Sequence, residues 1–431
     1  MDADLSRIWT VPTPARSIGS EAENIDLAVH SPAAKRSCCR IAVQFGGMLT
    51  RLLRMPPRRS VLILGPRQTG KSTFVRTNLP QQSWTIDLLQ HDDYLKYSKE
   101  PSAFAREVQE RARRGTRVVF VDEVQKVPAL MDEVHRLIES LPVRFVLTGS
   151  SARKLRRGGT NLLAGRAETL AMHPLTAQEQ DSAFNLDRTL RLGSLPAVVT
   201  GSDEAAKALL RSYAETYLRE EIQAESIVRN LGGFARFLDV AAAQSGELLN
   251  GASVARDAGV AARTVQEYFQ ILEDTLLGFR LEAWRKSVRS RLVAHSKFYL
   301  FDTGVTNALA HRLTATVDSA LRGRLFEQWL FLECHRYIDY AKSETRLYFW
   351  RTNHGAEVDL VIERHGKLLA AVETKTGKRV GGNDLSGLRA FAAENAGVPR
   401  FIVTPNAEPQ RIDDVLVTNW QDFIKQFRQW V

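Results

Sequence analysis

The sequence predicts an α/β protein in three folded parts: a parallel sheet built over a phosphate loop, a mostly helical segment, and a second mixed α/β segment at the C-terminal end. Three observations predict it. The apolar run VLIL at 61–64 leads directly into GPRQTGKS at 65–72. Short apolar runs (VLILG, RVVFVDE, RFVLTGS) then alternate with longer stretches of helical period such as FAREVQERARR and ALMDEVHRLIESL, as strands joined by crossover helices do. From about residue 320 a long helical stretch, GRLFEQWLFLECHRYI, is followed by the strand-like runs LYFW, AEVDLVIE and LLAAVETK.

Taken in order, residues 1–45 show no sustained period and are rich in Pro, Ser and Ala, so they read as a loose or disordered extension. Residues 46–200 hold the phosphate loop and its sheet. Residues 201–315 are dominated by helical signal, with LLNGASVARDAGV and AARTVQEYFQILEDTLLGF parted by a short turn around Gly259, a helix-turn-helix layout. Residues 316–431 form the second α/β domain. A chain of 431 residues has room for two or three domains of the usual ~100–200 residues.

Composition narrows the class. Hydrophobic residues at 44% and charged residues at 25% are ordinary for globular protein. No run approaches the roughly 18 apolar residues of a membrane span, and the N-terminus lacks a signal-peptide layout, so the expectation is a cytoplasmic protein without membrane contact. Three cysteines, Cys38, Cys39 and Cys334, give neither a disulfide framework nor metal-ligand spacing. A net charge of +10 and a pI near 9.6 fit a polyanionic partner such as nucleic acid or an anionic surface, although a solvated basic surface is the commoner cause of such a balance; the partner expected is nucleic acid, DNA first.

The stretch Gly65–Ser72 has the G-x-x-x-x-G-K-[ST] spacing, after a strand and before the helical STFVRTNL. Gly65, Pro66, Arg67, Gln68, Thr69 and Gly70 would turn backbone N–H groups onto phosphate oxygens, helped by the following helix dipole. Lys71 would reach the β- and γ-phosphates of ATP, Ser72 would hold Mg²⁺, and Thr73 would continue the cradle. The strand of RVVFVDEVQ ends in Asp122, placed to hold the Mg²⁺ shell, and Glu123, placed to orient or deprotonate the attacking water. Thr148, Ser150 and Ser151, at the end of RFVLTGSS, are candidate sensors of the γ-phosphate. Arg166, in NLLAGRAE, is a candidate arginine finger or one cation of a solvated basic face with Arg153, Lys154, Arg156 and Arg157. Together GPRQTGKST, VFVDEVQ, LTGSSARKL and LAGR resemble the AAA-type ATPases of the bacterial and archaeal group that carry a winged helix and a C-terminal domain of unknown function. The resemblance covers roughly residues 47–425. It implies an ATPase, with a homo-oligomer if Arg166 acts in trans.

In the helix-turn-helix, Val265, Phe269 and Leu272 share the apolar face of the second helix, leaving Arg263, Thr264, Gln266 and Glu267 elsewhere. The next stretch carries Arg280, Arg285, Lys286, Arg289, Arg291 and Lys297 against one acid, Glu282, a basic wing suited to nonspecific, salt-sensitive phosphate contacts. Winged helices also serve as lids or protein-contact modules. Trp284 reads as core.

A quieter pattern lies in GAEVDLVIERHGKLLAAVETKTG. Asp359 falls on one strand and Glu373 and Lys375 on the next, two apart and hence on one face, with Thr374 opposite. Two such carboxylates can hold Mg²⁺ or Mn²⁺, and the lysine can position water for attack on a phosphodiester. The segment resembles the PD-(D/E)xK nucleases, in which a preceding helix often adds an acid, matched here by Glu327; Glu357 is an alternative beside Asp359. Alternating charges on a half-exposed strand produce the same spacing by accident. The combined expectation is an ATPase whose nucleotide controls a DNA-binding, metal-dependent nuclease-like domain. The alternatives are a DNA-binding ATPase with a catalytically silent C-terminal domain, and a nucleotide-dependent switch that recruits protein partners.

Overall fold

The computed structural model describes residues 49–150, 153, 163, 165–217, 230–286, 295–377 and 379–431. The extension read over 1–45, and Ser151, Lys154, Arg156, Arg157, Arg289 and Arg291, lie outside the described residues.

The first sheet has five parallel strands in the order β2-β3-β4-β1-β5: β1 (Ser60–Leu64), β2 (Trp84–Asp87), β3 (Val118–Asp122), β4 (Arg144–Gly149) and β5 (Ala167–Ala171). The strands β1 and β3 are buried at every position, because crossover helices cover both faces of a parallel sheet. The pleat divides β1 cleanly. Leu62 and Leu64 join the core beneath α2 (His91–Lys99), α3 (Pro101–Arg113) and α4 (Leu130–Ser140), whereas Val61 and Ile63 pack with Phe74 and Val75 of α1 (Lys71–Asn78). Each fully buried side chain of this kind contributes about 1.5–3 kcal/mol. The phosphate loop therefore leaves a strand fixed from both sides.

After four short helices, α5 (Ala177–Gln180), α6 (Leu186–Leu192), α7 (Pro196–Thr200) and α8 (Asp203–Ser212), come α9 (Leu231–Ala243), α10 (Gly251–Ala258) and α11 (Ala262–Asp274). Asn230 and Asn250 cap α9 and α10 through their side chains. Gly259 ends α10 at φ 65°, the left-handed conformation glycine adopts without strain, and this makes the turn into α11. On α11 Val265, Phe269 and Leu272 are buried and Arg263, Gln266 and Glu267 exposed. An antiparallel pair follows, β6 (Gly278–Ala283) with β7 (Lys297–Leu300).

That pair does not stand alone, since β6 also pairs in parallel with β8 (Arg346–Arg351). The result is an eight-stranded sheet of order β12-β13-β11-β10-β9-β8-β6-β7, with β9 (Glu357–Arg364), β10 (Lys367–Thr374), β11 (Arg400–Thr404), β12 (Gln410–Ile412) and β13 (Val415–Asn419). The strand β9 runs antiparallel to both β8 and β10; β10, β11 and β13 are parallel. One face carries the 23-residue α13 (Ser319–Ala341) and α15 (Trp420–Phe427), the other α14 (Ser386–Glu394); α12 (Thr303–Leu309) lies between β7 and α13 in sequence. The Asp318 side chain caps α13, and Leu325, Phe326, Trp329, Leu330, Phe331 and Leu332 are all buried along it, so this helix is a packed central rod. No helix among the described residues is long and apolar enough to cross a membrane.

Candidate functional site

At the end of β1 a Cβ on Gly65 would lie 2.3 Å from the Met172 carbonyl oxygen, so no larger residue passes there. Gly70 takes φ 89° at the start of α1. Lys71 is buried, and its Nζ donates to the carbonyls of Gly65 (2.7 Å) and Pro66 (2.9 Å), while Thr69 Oγ1 donates to Pro66 O at 2.9 Å. The ammonium is thus folded back on the loop it serves. Pro66, Arg67 and Gln68 form the rest of the turn, and Thr73 is exposed on α1.

Ser72 Oγ donates to Asp122 Oδ1 at 2.9 Å, and Thr148 Oγ1 donates to the same oxygen. Thr148 therefore bonds the acid of the neighbouring strand, and it also accepts from the Glu123 amide at 3.2 Å. Glu123 sits at φ 60°, a left-handed conformation that costs a non-glycine residue about 1–3 kcal/mol. Gln125 Nε2 donates to Glu123 Oε2 (2.5 Å) and to Ser150 Oγ (3.0 Å). Arg76 lies 3.4 Å from Asp122 and 3.1 Å from Asp87. Gln125 and Arg76 were not singled out from the sequence, although Gln125 stands only two residues past Glu123. A cavity of about 880 Å³ opens beside α1, lined by Arg51, Leu53, Gly70, Thr73, Phe74 and Pro196 among others.

Arg51 likewise carries no sequence signal. Its guanidinium, almost wholly buried, donates to Thr69 O (2.9 Å) in the phosphate loop, Glu179 Oε1 (3.0 Å), His173 O (2.6 Å) and Tyr340 Oη (3.0 Å) on α13. The phosphate loop and α13 thereby share one cation. Arg166 pairs with Glu139 of α4 at the surface, and Arg153 with Asp274 of α11 at 2.8 Å.

The C-terminal acids are brought together from three elements: Glu327 from α13, Asp359 from β9, and Glu373 from the end of β10. The register sets Leu360 opposite Val372, which carries Asp359 alongside the end of β10. Lys375 Nζ donates to Glu373 Oε1 at 2.9 Å. Thr374 does not point to the opposite side: its amide and its hydroxyl both donate to Asp359 Oδ2 at 2.7 Å, because β10 ends there and strict alternation ends with it. Glu373 Oε2 is buried without a hydrogen-bond partner. Removal from water and then the Asp359 carboxylate raise Glu373 to about 8 and Glu327 to about 7, against the opposing pull of Lys375 and Lys297 respectively.

Lys297 corrects the sequence reading. It belongs to no exposed basic wing: it is 4% exposed, with Nζ 2.7 Å from Glu327 and 2.6 Å from Glu357. Burial favours its neutral form, but Tyr299, Glu327, Asp359 and Glu357 outweigh that and hold it above the ordinary lysine value. Tyr299 Oη donates to Glu327 at 2.6 Å. Glu357 also pairs with Arg351, so it is engaged beside the cluster. A lysine heading the apolar run KFYL is the sequence mark that points inward. Of the other cations read into the wing, Arg280 pairs with Glu273 at 3.1 Å, and Trp284 is core, donating to Glu363.

Residues 57–180 match a family described as an AAA domain, and residues 183–316 and 322–423 match two families described as domains of unknown function. Uncharacterized proteins of Mycobacterium tuberculosis and Mycobacterium bovis are each 28% identical over 346 residues, 79% of this chain and 75% of theirs. An uncharacterized protein of Haemophilus influenzae is 22% identical over 62% of this chain and 74% of its own. Among solved structures, Can2 from Sulfobacillus thermosulfidooxidans in complex with cyclic tetra-adenylate aligns at 10% identity over 86% of this chain and 99% of that one; its TM-score of 0.21 is too low to carry an argument. The loop Gly65–Ser72 on a parallel five-stranded sheet, with an acidic pair ending the neighbouring strand, agrees with the first of these matches: residues 57–180 hold a P-loop and are similar to the AAA domain family.

Proposed function

We propose that the protein hydrolyses ATP, binds DNA, and uses the nucleotide to control a metal-dependent, phosphodiester-cleaving site in its C-terminal part. Lys71 leaves the carbonyls of Gly65 and Pro66 for the β- and γ-phosphates. Asp122 and Ser72, already hydrogen-bonded to each other, are an all-oxygen pair that fits Mg²⁺. Glu123 accepts the proton of the attacking water, and Gln125 holds its carboxylate beside Ser150. The cavity beside α1 receives the nucleoside.

The nuclease reading is carried by one observation, the convergence of Glu327, Asp359 and Glu373 around the unpaired, buried Glu373 Oε2. The donor set is oxygen throughout and fits Mg²⁺ or Mn²⁺. Such a cation, when bound, polarises a phosphodiester and makes its own water a better nucleophile. Lys375, 2.9 Å from Glu373, orients the incoming water or phosphate. The α10–Gly259–α11 turn with the β6–β7 pair is read as a winged helix that presents the exposed Arg263 and Gln266 to DNA, the three parts dividing near residues 200 and 315.

A second reading has its own support. Lys297 already supplies a cation between Glu327 and Glu357, which favours a charge-balanced and catalytically silent cluster. The deciding experiment incubates the protein with single- and double-stranded DNA in Mg²⁺ or Mn²⁺, with and without ATP, beside Glu373→Ala and Lys71→Ala. Cleavage lost in Glu373→Ala establishes the site, and its response to Lys71→Ala reports control by ATP. Intact ATPase activity with no cleavage in any condition sinks the nuclease reading and leaves the silent one.

A further inference from the structure

Away from both acidic sites, His173, His335 and Asp339 meet where the AAA-type segment touches α13. The ligand atoms of all three lie within 4.8 Å of one another. His173 follows β5 by two residues and is 1% exposed. His335 and Asp339 are four apart on α13, a spacing that stacks two ligands on one helix face. Asp339 Oδ2 lies 2.7 Å from His173 Nε2 and 3.7 Å from His335 Nε2. The His173 contact alone describes an ordinary hydrogen-bonded pair. It does not account for His335, whose Nε2 is buried without a hydrogen-bond partner although the ring is clamped against Phe279 at 4.2 Å and stacked on Phe331.

We propose that His173, His335 and Asp339 form a binding site for a divalent transition metal of the zinc class. Two imidazole nitrogens and one carboxylate oxygen are the ligand set such ions prefer, whereas Mg²⁺ and Mn²⁺ favour the all-oxygen clusters elsewhere in the chain. Binding at about 2.0–2.1 Å from each ligand draws the three side chains together around the ion and replaces the His173–Asp339 hydrogen bond, releasing its proton. The fourth position is left for water. The backbone of His173 is already tied to α13: its amide donates to Tyr340 Oη at 3.1 Å. A metal would add a side-chain tie across the same joint.

The test uses the full chain, stripped with chelator and titrated with Co²⁺ and Zn²⁺. The expected result is one tight equivalent with the visible absorption of four-coordinate cobalt, and a melting temperature that rises with Zn²⁺. Both effects should fall with Asp339→Asn and with His335→Gln, affinity dropping about 100-fold or more, and both should persist in Glu373→Gln and Ser72→Ala. Melting curves in chelator show that each variant folds. The assignment is overturned by the absence of a tight equivalent, by binding that survives both ligand variants, or by intense thiolate-to-cobalt absorption, which would place the metal on cysteines.

Discussion

At the scale of single residues, charge and burial decide what each site does. Lys71 holds two loop carbonyls, and it is also the cation nearest the phosphates in the reading above. Lys71→Ala should therefore cost nucleotide turnover about 10²–10³-fold, by analogy with the loss of one oriented electrostatic donor, while the melting temperature changes little because the loop is also fixed by Gly65, Thr69 and Arg51; steady-state ATPase assays and calorimetric titration with ATP check this. Glu373 makes a prediction about pH. Its carboxyl is raised to about 8 in the folded chain from an ordinary value near 4.3, so the native state binds more protons than the unfolded state between those limits. Stability is then fullest below about pH 4 and falls as pH rises towards 8. Glu373→Gln mimics the protonated form. Its stability should match wild type near pH 4 and exceed it at pH 8, the gap reaching on the order of a few kcal/mol and narrowing when Mg²⁺ or Mn²⁺ is added to wild type. A gap independent of pH would remove the electrostatic account of this cluster.

At the scale of elements, the β6–β7 pair links two parts of the chain, because its Lys297 is spent inside the acid cluster between α13 and β9. Removing that cation leaves Glu327 and Glu357 without it in a poorly hydrated place, so Lys297→Met should destabilise by about 3–5 kcal/mol. Much of this should return in Lys297→Met/Glu327→Gln, a double-mutant cycle readable by urea denaturation. The proposed DNA binding draws on the same pair of strands. With Lys297 buried and Arg280 paired, fewer cations are offered than the sequence run suggests. Lys286, exposed just past β6, should reduce the slope of log affinity against log salt by about one when changed to Ala if it contacts a phosphate; an unchanged slope places DNA elsewhere. The contrast shows what a sequence can disclose. Gly65–Ser72, the strand before it and the runs that became β8, β9 and β10 are legible because their signal lies in adjacent residues. Asp359 and Glu373 are legible because a hairpin brings neighbours in sequence together. The Lys297–Glu327 pair, the four bonds of Arg51 and the His173–Asp339 contact join residues 30, up to 289 and 166 positions apart; only the packing of whole elements creates them, and no local period announces it.

At the scale of the molecule, one helix connects the two candidate chemistries. Tyr340 near the end of α13 receives Arg51, whose other hydrogen bonds reach Thr69 in the phosphate loop, and Glu327 on the same helix lies in the acid cluster. Thirteen residues of helix separate Glu327 from Tyr340, a rise of about 20 Å. Burial along most of that length makes bending costly, so a change at one end is transmitted as a displacement of the rod. In the proposed coupling, a phosphate that draws Lys71 off the loop carbonyls would rearrange the backbone to which Arg51 is bonded, and Arg51 would then pull on Tyr340. Coupling of this kind is a free energy shared between two sites and must be reciprocal. Arg51→Ala cuts the connection without touching Lys71, Asp122, Glu373 or Lys375. It also strands the buried Glu179, whose remaining partners are the Leu52 and Thr176 amides, so Arg51→Ala/Glu179→Gln is the cleaner variant. In that variant ATP hydrolysis should persist, and any metal-dependent cleavage should lose its dependence on ATP; reciprocally, DNA should cease to alter the affinity for ATP, on which typical coupling energies of about 1–3 kcal/mol would have a 5- to 150-fold effect in the wild type. If cleavage in the double variant still follows ATP as in wild type, the signal does not travel through Arg51 and α13, and a route through the Arg153–Asp274 pair to α11 becomes the one to cut next.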